Sequence, residues 1–295
     1  MIRVAAVADI HAGPESVGVL APLFASLKEE ADLLLLAGDL TRGGDPAEAE
    51  ILVNELREVG APIVAVLGNH DYEADQPEAV MGVLRAAGIH LLDRGSVVLD
   101  IAGQQLAIAG TKGFGGGFDA ALADDAGEPE MKAWIHHAEE EAEALEGVLS
   151  GVVGDIRIVL LHYAPVTGTL AGERLELYPF LGNSMLGAAI DRAGADLVVH
   201  GHAHRGSAVG ITAGGIPVRN VARPVIRQPY AIFVIESDED EQRPRRGWRR
   251  QQEARGETAG AGRERSREGR GSRWMRRAAR KANQQPAAAE SDNDR

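Results

Sequence analysis

Residues 1–11 read Met-Ile-Arg-Val-Ala-Ala-Val-Ala-Asp-Ile-His, residues 33–42 Leu-Leu-Leu-Leu-Ala-Gly-Asp-Leu-Thr-Arg, and residues 63–71 Ile-Val-Ala-Val-Leu-Gly-Asn-His-Asp. Each is a strand-like apolar run that stops abruptly at polar residues. Helical signals lie between and after them, near 16–30, 46–58 and 76–87. This alternation predicts a sheet with covering helices.

Residues 89–109 change character: the short alternating runs Ser96 to Asp100 and Gln104 to Ala109, either side of Gly103, predict a hairpin and with it a second sheet. A Gly-rich stretch over 110–128 leads into a charged helix near 129–149. It lacks the Gly-Lys-Ser/Thr of a nucleotide-binding loop, so it reads either as a flexible rim or as a plain connector. A strand over Ile158 to Leu161 ends at His162, an irregular stretch runs to about Gly182, and a helix near 184–194 feeds a strand over Leu197 to Val199. Runs at 207–211, 216–220 and 230–235 are expected to close the second sheet. One domain over residues 1–236 is followed by a tail, 237–295, with almost no aliphatic residues, for which disorder is expected.

A chain of 295 residues with 44% apolar content can bury a sizeable core. No cysteine is present, which removes disulfides, thiolate nucleophiles and Cys-type zinc sites, and leaves any metal to nitrogen and oxygen ligands: Zn, Mn or Fe. No apolar run approaches a membrane span, and the first apolar stretch is cut at Asp9, so the expected location is the cytoplasm. Charge is uneven. Residues 1–241 carry 15 Lys/Arg against 37 Asp/Glu, and residues 242–295 carry 16 against 7, so an acidic body precedes a basic tail.

Five polar motifs follow the strand-like runs: Asp9-Ile10-His11, Gly38-Asp39-Leu40-Thr41-Arg42, Gly68-Asn69-His70-Asp71, His162 and Gly201-His202-Ala203-His204. Residues at the ends of adjacent strands can converge. Asp9 and His11, like His202 and His204, stand two apart, a spacing that in extended backbone sends both side chains of a pair to one face. Each pair can grip one ion. Asp39 follows a glycine that permits close approach, and its two carboxylate oxygens can bridge two metals; Asn69 and His162 add ligands. Two metals about 3.5–4 Å apart would suit phosphate-ester hydrolysis by in-line displacement. His70 can protonate the departing alkoxide, with Asp71 holding its ring.

The ordered series Asp-x-His, Gly-Asp-x-x-Arg, Gly-Asn-His-Asp, His, Gly-His-x-His resembles the calcineurin-like metallophosphoesterases over roughly residues 1–236. The resemblance implies a four-layer α/β/β/α sandwich of two mixed β-sheets flanked by helices. It also implies one metal on Asp9, His11, Asp39 and His204, a second on Asp39, Asn69, His162 and His202, and His70 as catalytic acid or transition-state stabiliser with Asp71 as its partner. Arg42 stands where purple acid phosphatases would have a tyrosine ligand, and the Ser/Thr protein phosphatase extension is missing. The layout is similar to bacterial phosphodiesterases of the cyclic-nucleotide type.

Arg42 has two readings, a phosphate contact or a brace for its loop. Lys112 and Arg205 are further phosphate candidates. His136 and His137 sit among glutamates and read as a solvated face; His90 and His200 read as structural. The tail segments Arg245-Arg246-Gly247-Trp248-Arg249-Arg250 and Arg273-Trp274-Met275-Arg276-Arg277 interleave aromatics with cations, which suits weak polyanion contact or a solvated appendage. The expected activity is metal-dependent hydrolysis of small phosphodiesters or monoesters, cyclic nucleotides among them, by a water activated between two ions. A nuclease recruited through the tail and a catalytically silent scaffold are the alternatives.

Overall fold

A computed structural model describes residues 1–235. Eleven strands among these residues form two mixed sheets: β1 Ile2–Val7, β2 Leu33–Ala37, β3 Ile63–Val66, β4 His90–Leu91, β5 Gly95–Ile101, β6 Gln104–Thr111, β7 Ile156–Leu161, β8 Leu197–His200, β9 Val209–Ile211, β10 Pro217–Asn220 and β11 Ala231–Ile235. The first sheet runs β11-β1-β2-β3-β4 and the second β5-β6-β7-β8-β10-β9. Their central strands are parallel; β11, β5 and β9 are antiparallel to their neighbours.

The apolar runs lack alternation because both faces of the central strands are covered. Ile2, Val4, Ala6, Leu33, Leu35, Val64 and Val66 pack against Leu106, Ile108, Ile158, Leu160 and Val199 between the sheets. On the outer face of the first sheet, Ala5, Val7, Leu34, Leu36 and Ala65 meet Leu27, Leu52 and Leu84. Two of these come from helices Pro46–Glu55 and Pro77–Ala86. Helix Pro129–Gly151 lies on β5 and β6 and packs against helix Ser184–Ala193, completing four layers. The expected α/β class and layer order stand. The β5–β6 hairpin turns on Ala102 and Gly103, both with positive φ (54° and 82°), the pattern of a tight two-residue turn.

Two expectations are corrected. Residues 16–30 hold no continuous helix; 3-10 turns at Pro14–Ser16 and Ala21–Phe24 precede a single turn at Leu27–Glu30. Gly18 (φ 74°) and Pro22 interrupt the helix, and the Glu55 carboxylate accepts instead from the backbone N–H of Gly18, Leu20 and Ala21. The run at 230–235 does not close the second sheet: β11 joins the first, antiparallel to β1 with Ile2 opposite Ile235. Its alternation fits that edge, since Phe233 and Ile235 pack into the inter-sheet core while Ile232 and Val234 stay 40% and 47% exposed. No helix among the described residues is long and apolar enough to cross a membrane. The tail beyond residue 235 lies outside the described residues.

Candidate active site

Parallel register brings the strand ends level: Val7 pairs with Leu36, Ala37 with Val66, and Leu160 with Val199. Asp9 and His11 follow β1, Asp39 follows β2, Asn69 and His70 follow β3, His162 follows β7, and His202 and His204 follow β8. All five motifs thus leave their sheets at one edge.

The ligand pairs are not in extended backbone, as the i, i+2 argument assumed. Asp9, His11, Asp39 and His202 have φ of 59°, 50°, 51° and 69°, the left-handed region, at about 1 kcal/mol each for a non-glycine residue. The chain therefore turns sharply off each strand. Backbone hydrogen bonds hold the turns: Asp9 N–H to Gly38 O (3.0 Å), His11 N–H to Asp39 O (3.0 Å), Ala12 N–H to Leu40 O (2.9 Å). Glycines before the ligands are sterically required. A Cβ on Gly38 would collide with the His162 ring, on Gly68 with Asp39, and on Gly201 with Ala8 and the Asp9 carboxylate.

Two donor groups result. Asp9, His11, Asp39 and His204 each bring one ligand atom, all within 4.8 Å of one another, and Asp39, His162 and His202 form a second such set. Asn69 joins the second, its Oδ1 3.0 Å from His162 Nε2. Asp39 belongs to both: Oδ2 lies 3.8 Å from His11 Nε2 and Oδ1 3.2 Å from His162 Nε2.

Tautomers follow from the outer partners. His162 Nδ1 donates to Ala37 O (2.9 Å), which leaves Nε2 for the centre. Two acceptors, Asn69 Oδ1 and Asp39 Oδ1, converge on that Nε2, so the spot demands positive charge, a proton or a metal. Burial opposes the charge, yet Asp39 beside it raises the His162 pKa to about 9. Asp39 is depressed: desolvation works the other way, and His162 and the backbone N–H of His70 outweigh it. His202 Nε2 donates to Phe180 O (3.2 Å), leaving Nδ1, and burial and His162 push its pKa down to about 3. His204 Nε2 bonds Asp9 Oδ1 at 2.8 Å, and that bond raises its pKa. These nitrogen and oxygen donors fit borderline divalent cations.

His70 directs Nε2 toward the centre, 4.0 Å from Asp39 Oδ2, with its ring edge-on to His11 at 4.6 Å. Asp71 does not hold that ring. It is fully buried and accepts from Leu40 N–H (3.1 Å), Thr41 N–H (2.7 Å), Thr41 Oγ1 (2.6 Å) and Gly68 N–H (2.7 Å), tying the loop after β2 to the loop after β3. The His70 ring is held instead through Nδ1, 3.1 Å from Arg42 O and 2.9 Å from a Glu73 carboxylate oxygen. The Arg42 guanidinium is a brace, paired with Glu15 (2.9 Å) and Glu48 (3.3 Å). These pairs support the second of its two readings, a brace for the loop.

Residues 2–206, which span every one of these ligands, match the family model for calcineurin-like phosphoesterases. The chain belongs to this family. Curated relatives match over shorter spans. A probable cyclic nucleotide phosphodiesterase of Synechococcus sp. is 48% identical over 59 residues, 20% of this chain and 22% of the relative. An uncharacterized protein of Bacillus subtilis, YpbG, is 39% identical over 79 residues, 26% of this chain and 30% of the relative. The matches thus span under a third of either relative's length. Among solved structures, a phosphopantetheinyl hydrolase of Mycobacterium tuberculosis superposes with a TM-score of 0.61 at 15% identity, over 80% of this chain and 96% of that one. That likeness concerns the fold.

Several residues lie elsewhere than the sequence predicts. Glu73 and the Phe180 carbonyl stand outside the polar motifs, though the i, i+3 spacing of Glu73 from His70 is visible in the sequence. The Gly-rich stretch is pinned, Gly116 N–H to Pro179 O (2.7 Å), Gly117 N–H to Gly182 O (3.0 Å) and Asn183 Nδ2 to Phe114 O (2.7 Å), so it carries the segment that presents Phe180 O to His202. His137 is half-buried with its ring 4.5 Å from Phe114, whereas His136 is exposed. His200 is structural as expected, buried between Gly201 O and Thr169 Oγ1 at 2.8 Å each. Arg205 donates its backbone N–H to Glu173 (2.6 Å).

Proposed function

We propose that this phosphoesterase hydrolyses a small phosphodiester at a centre of two divalent cations, one on Asp9, His11, Asp39 and His204, the other on Asp39, Asn69, His162 and His202. One observation carries the reading: the buried Asp39 carboxylate is shared by both donor groups, one oxygen facing each. Mn, Fe or Zn suits the donor set, and a bound pair supplies a water of lowered pKa and offsets charge on the phosphoryl oxygens.

The chain's own residues do the remainder. His70 Nε2 stands at the centre and gives a proton to the departing alkoxide, while Arg42 O and Glu73 keep the ring from turning away. Ala37 O and Phe180 O fix which nitrogen His162 and His202 present. A diester is favoured over a monoester by the stretch shared with the relative named as a probable cyclic nucleotide phosphodiesterase. Cyclic nucleotides are therefore the first physiological substrates to try.

The test is hydrolysis of bis-p-nitrophenyl phosphate, p-nitrophenyl phosphate, cyclic AMP and single-stranded DNA by the full chain with Mn²⁺. Diesters turned over faster than the monoester is the expected result. Metal-loaded protein that cleaves none of the four overturns the proposal, and preference for DNA replaces it with a nuclease.

A further inference from the structure

Lys112 directly follows β6, beside the end of β7 that carries His162. Its carbonyl accepts from the backbone N–H of both His162 and Tyr163 at 3.1 Å, so the residue is built into the edge of the site. The ammonium lies over three rings, Phe114 at 4.9 Å, Tyr163 at 5.2 Å and Tyr72 at 5.4 Å. Each ring is tied to the centre or its supports. Tyr163 follows His162 and lies against the His202 ring, centroids 4.5 Å apart and planes inclined by 48°, Tyr72 lies two residues past His70, and Phe114 belongs to the pinned Gly-rich loop.

An aromatic cage fixes an ammonium by the ring quadrupole without cancelling its charge. Among the described residues no carboxylate lies within ion-pair distance of Lys112, and its hydrogen bond goes to Gly113 O at 3.0 Å, leaving two N–H donors. Arg42 is the contrast, neutralised by two glutamates. The nearby Glu141 is spoken for: it takes Arg94 (2.8 Å), Gly113 N–H (3.0 Å) and the Thr111 hydroxyl. A positioned cation with donors to spare, on the flank of a centre for anionic esters, calls for an anion.

We infer that Lys112 binds a phosphoryl oxygen of the substrate on the side of the site formed by His162 and His202. This rests on the phosphoester reading above. The oxygen comes from one of two sources, the scissile phosphate itself or a second phosphate on the ester arm.

Full-length protein with Mn²⁺ bound is compared with Lys112→Met and Lys112→Gln, using inorganic phosphate and inorganic pyrophosphate as probes in calorimetry and as inhibitors of bis-p-nitrophenyl phosphate hydrolysis. Loss of one charge-assisted hydrogen bond weakens binding by about tenfold or more. The thermal upshift that each probe confers on the folded protein shrinks in step, a readout that a purely structural lysine does not move. If the scissile phosphate is the source, phosphate binding and KM for the aryl esters weaken together. If a second phosphate is the source, pyrophosphate binding weakens while phosphate binding and aryl-ester KM hold. Unchanged binding of both probes in a folded variant with normal metal content overturns the inference. Wild-type protein that binds phosphate through Lys112 yet cleaves no ester would sink the proposed function and leave Lys112 as an anion site.

Discussion

Replacing Asp71 by Asn separates two roles that its place beside His70 confuses. The carboxylate is fully buried and accepts four hydrogen bonds, from Leu40 N–H, Thr41 N–H, Thr41 Oγ1 and Gly68 N–H. An amide keeps one acceptor oxygen and turns an NH₂ toward the donors on the other side. On either flip, about two donors lose their acceptor at roughly 1–3 kcal/mol each. The expected loss is about 2–6 kcal/mol, a large share of the 5–15 kcal/mol typical of a domain. Those donors belong to the loops that present Asp39 and Asn69, so metal affinity should fall with stability. Sensitivity of the rate to leaving-group pKa should not change, because Glu73 and Arg42 O, not Asp71, face His70 Nδ1. Denaturant unfolding, metal content and a Brønsted series of aryl esters measure the three quantities. A variant of near-normal stability and metal content that has lost catalysis selectively for poor leaving groups would refute this account and restore the Asp71–His70 dyad.

Asp39→Asn should lower occupancy at both donor groups and reduce rate more than His204→Ala, which touches one; normal turnover with two metals bound would defeat the shared-ligand reading. Gly38→Ala puts a Cβ into the His162 ring at a φ of 84°, and should cost about 1–3 kcal/mol and weaken metal binding; unchanged melting and metal content would contradict that geometry. In the metal-free protein the His162 pKa lies above its ordinary 6.5, at about 9, so the stability from its pairing with Asp39 is full below 6.5 and is lost as pH rises through 9. Metal must displace that proton from Nε2, so Mn²⁺ affinity should instead climb across this window with proton release, seen by calorimetry in buffers of different ionisation enthalpy. A pH-independent affinity between 6.5 and 9 would show that Nε2 is not a ligand.

What could be read from sequence divides along physical lines. The runs at 3–8, 33–37, 63–67 and 158–161 were legible because central strands covered on both faces need continuous apolar sequence, and the candidate donors that the fold brings together were legible because their chemistry is spelled in residue types. Pairing of β11 was not, since a five-residue apolar run, Ala231–Ile235, suits an edge of either sheet; only the closed fold puts Ile235 opposite Ile2. The 16–30 segment carried helix-forming residues, and Gly18, Pro22 and the Glu55 cap overrode them.

The His70 error has a geometric cause that sequence could have exposed. Residues His70–Tyr72 form a 3-10 turn, with three residues per turn, so neighbours diverge by about 120° while positions i and i+3 eclipse. Asp71 is therefore carried into the interior and Glu73 is stacked on His70. The two pairs at i, i+2 spacing divide in the fold: Asp9 and His11 fall in one donor group, whereas His204 joins that group and His202 the other, so the expectation that each pair grips one ion holds for the first pair and not for the second. Left-handed backbone at Asp9, His11, Asp39 and His202 turns the chain sharply at each, and the collisions that a Cβ would meet at Gly38, Gly68 and Gly201 show how little room is left. The strain persists because it is over-determined by backbone hydrogen bonds between the loops after β1 and β2 and by the buried Asp71 carboxylate. Convergence of these donor residues is thus set by the hydrogen bonds and close packing of the loops that carry them.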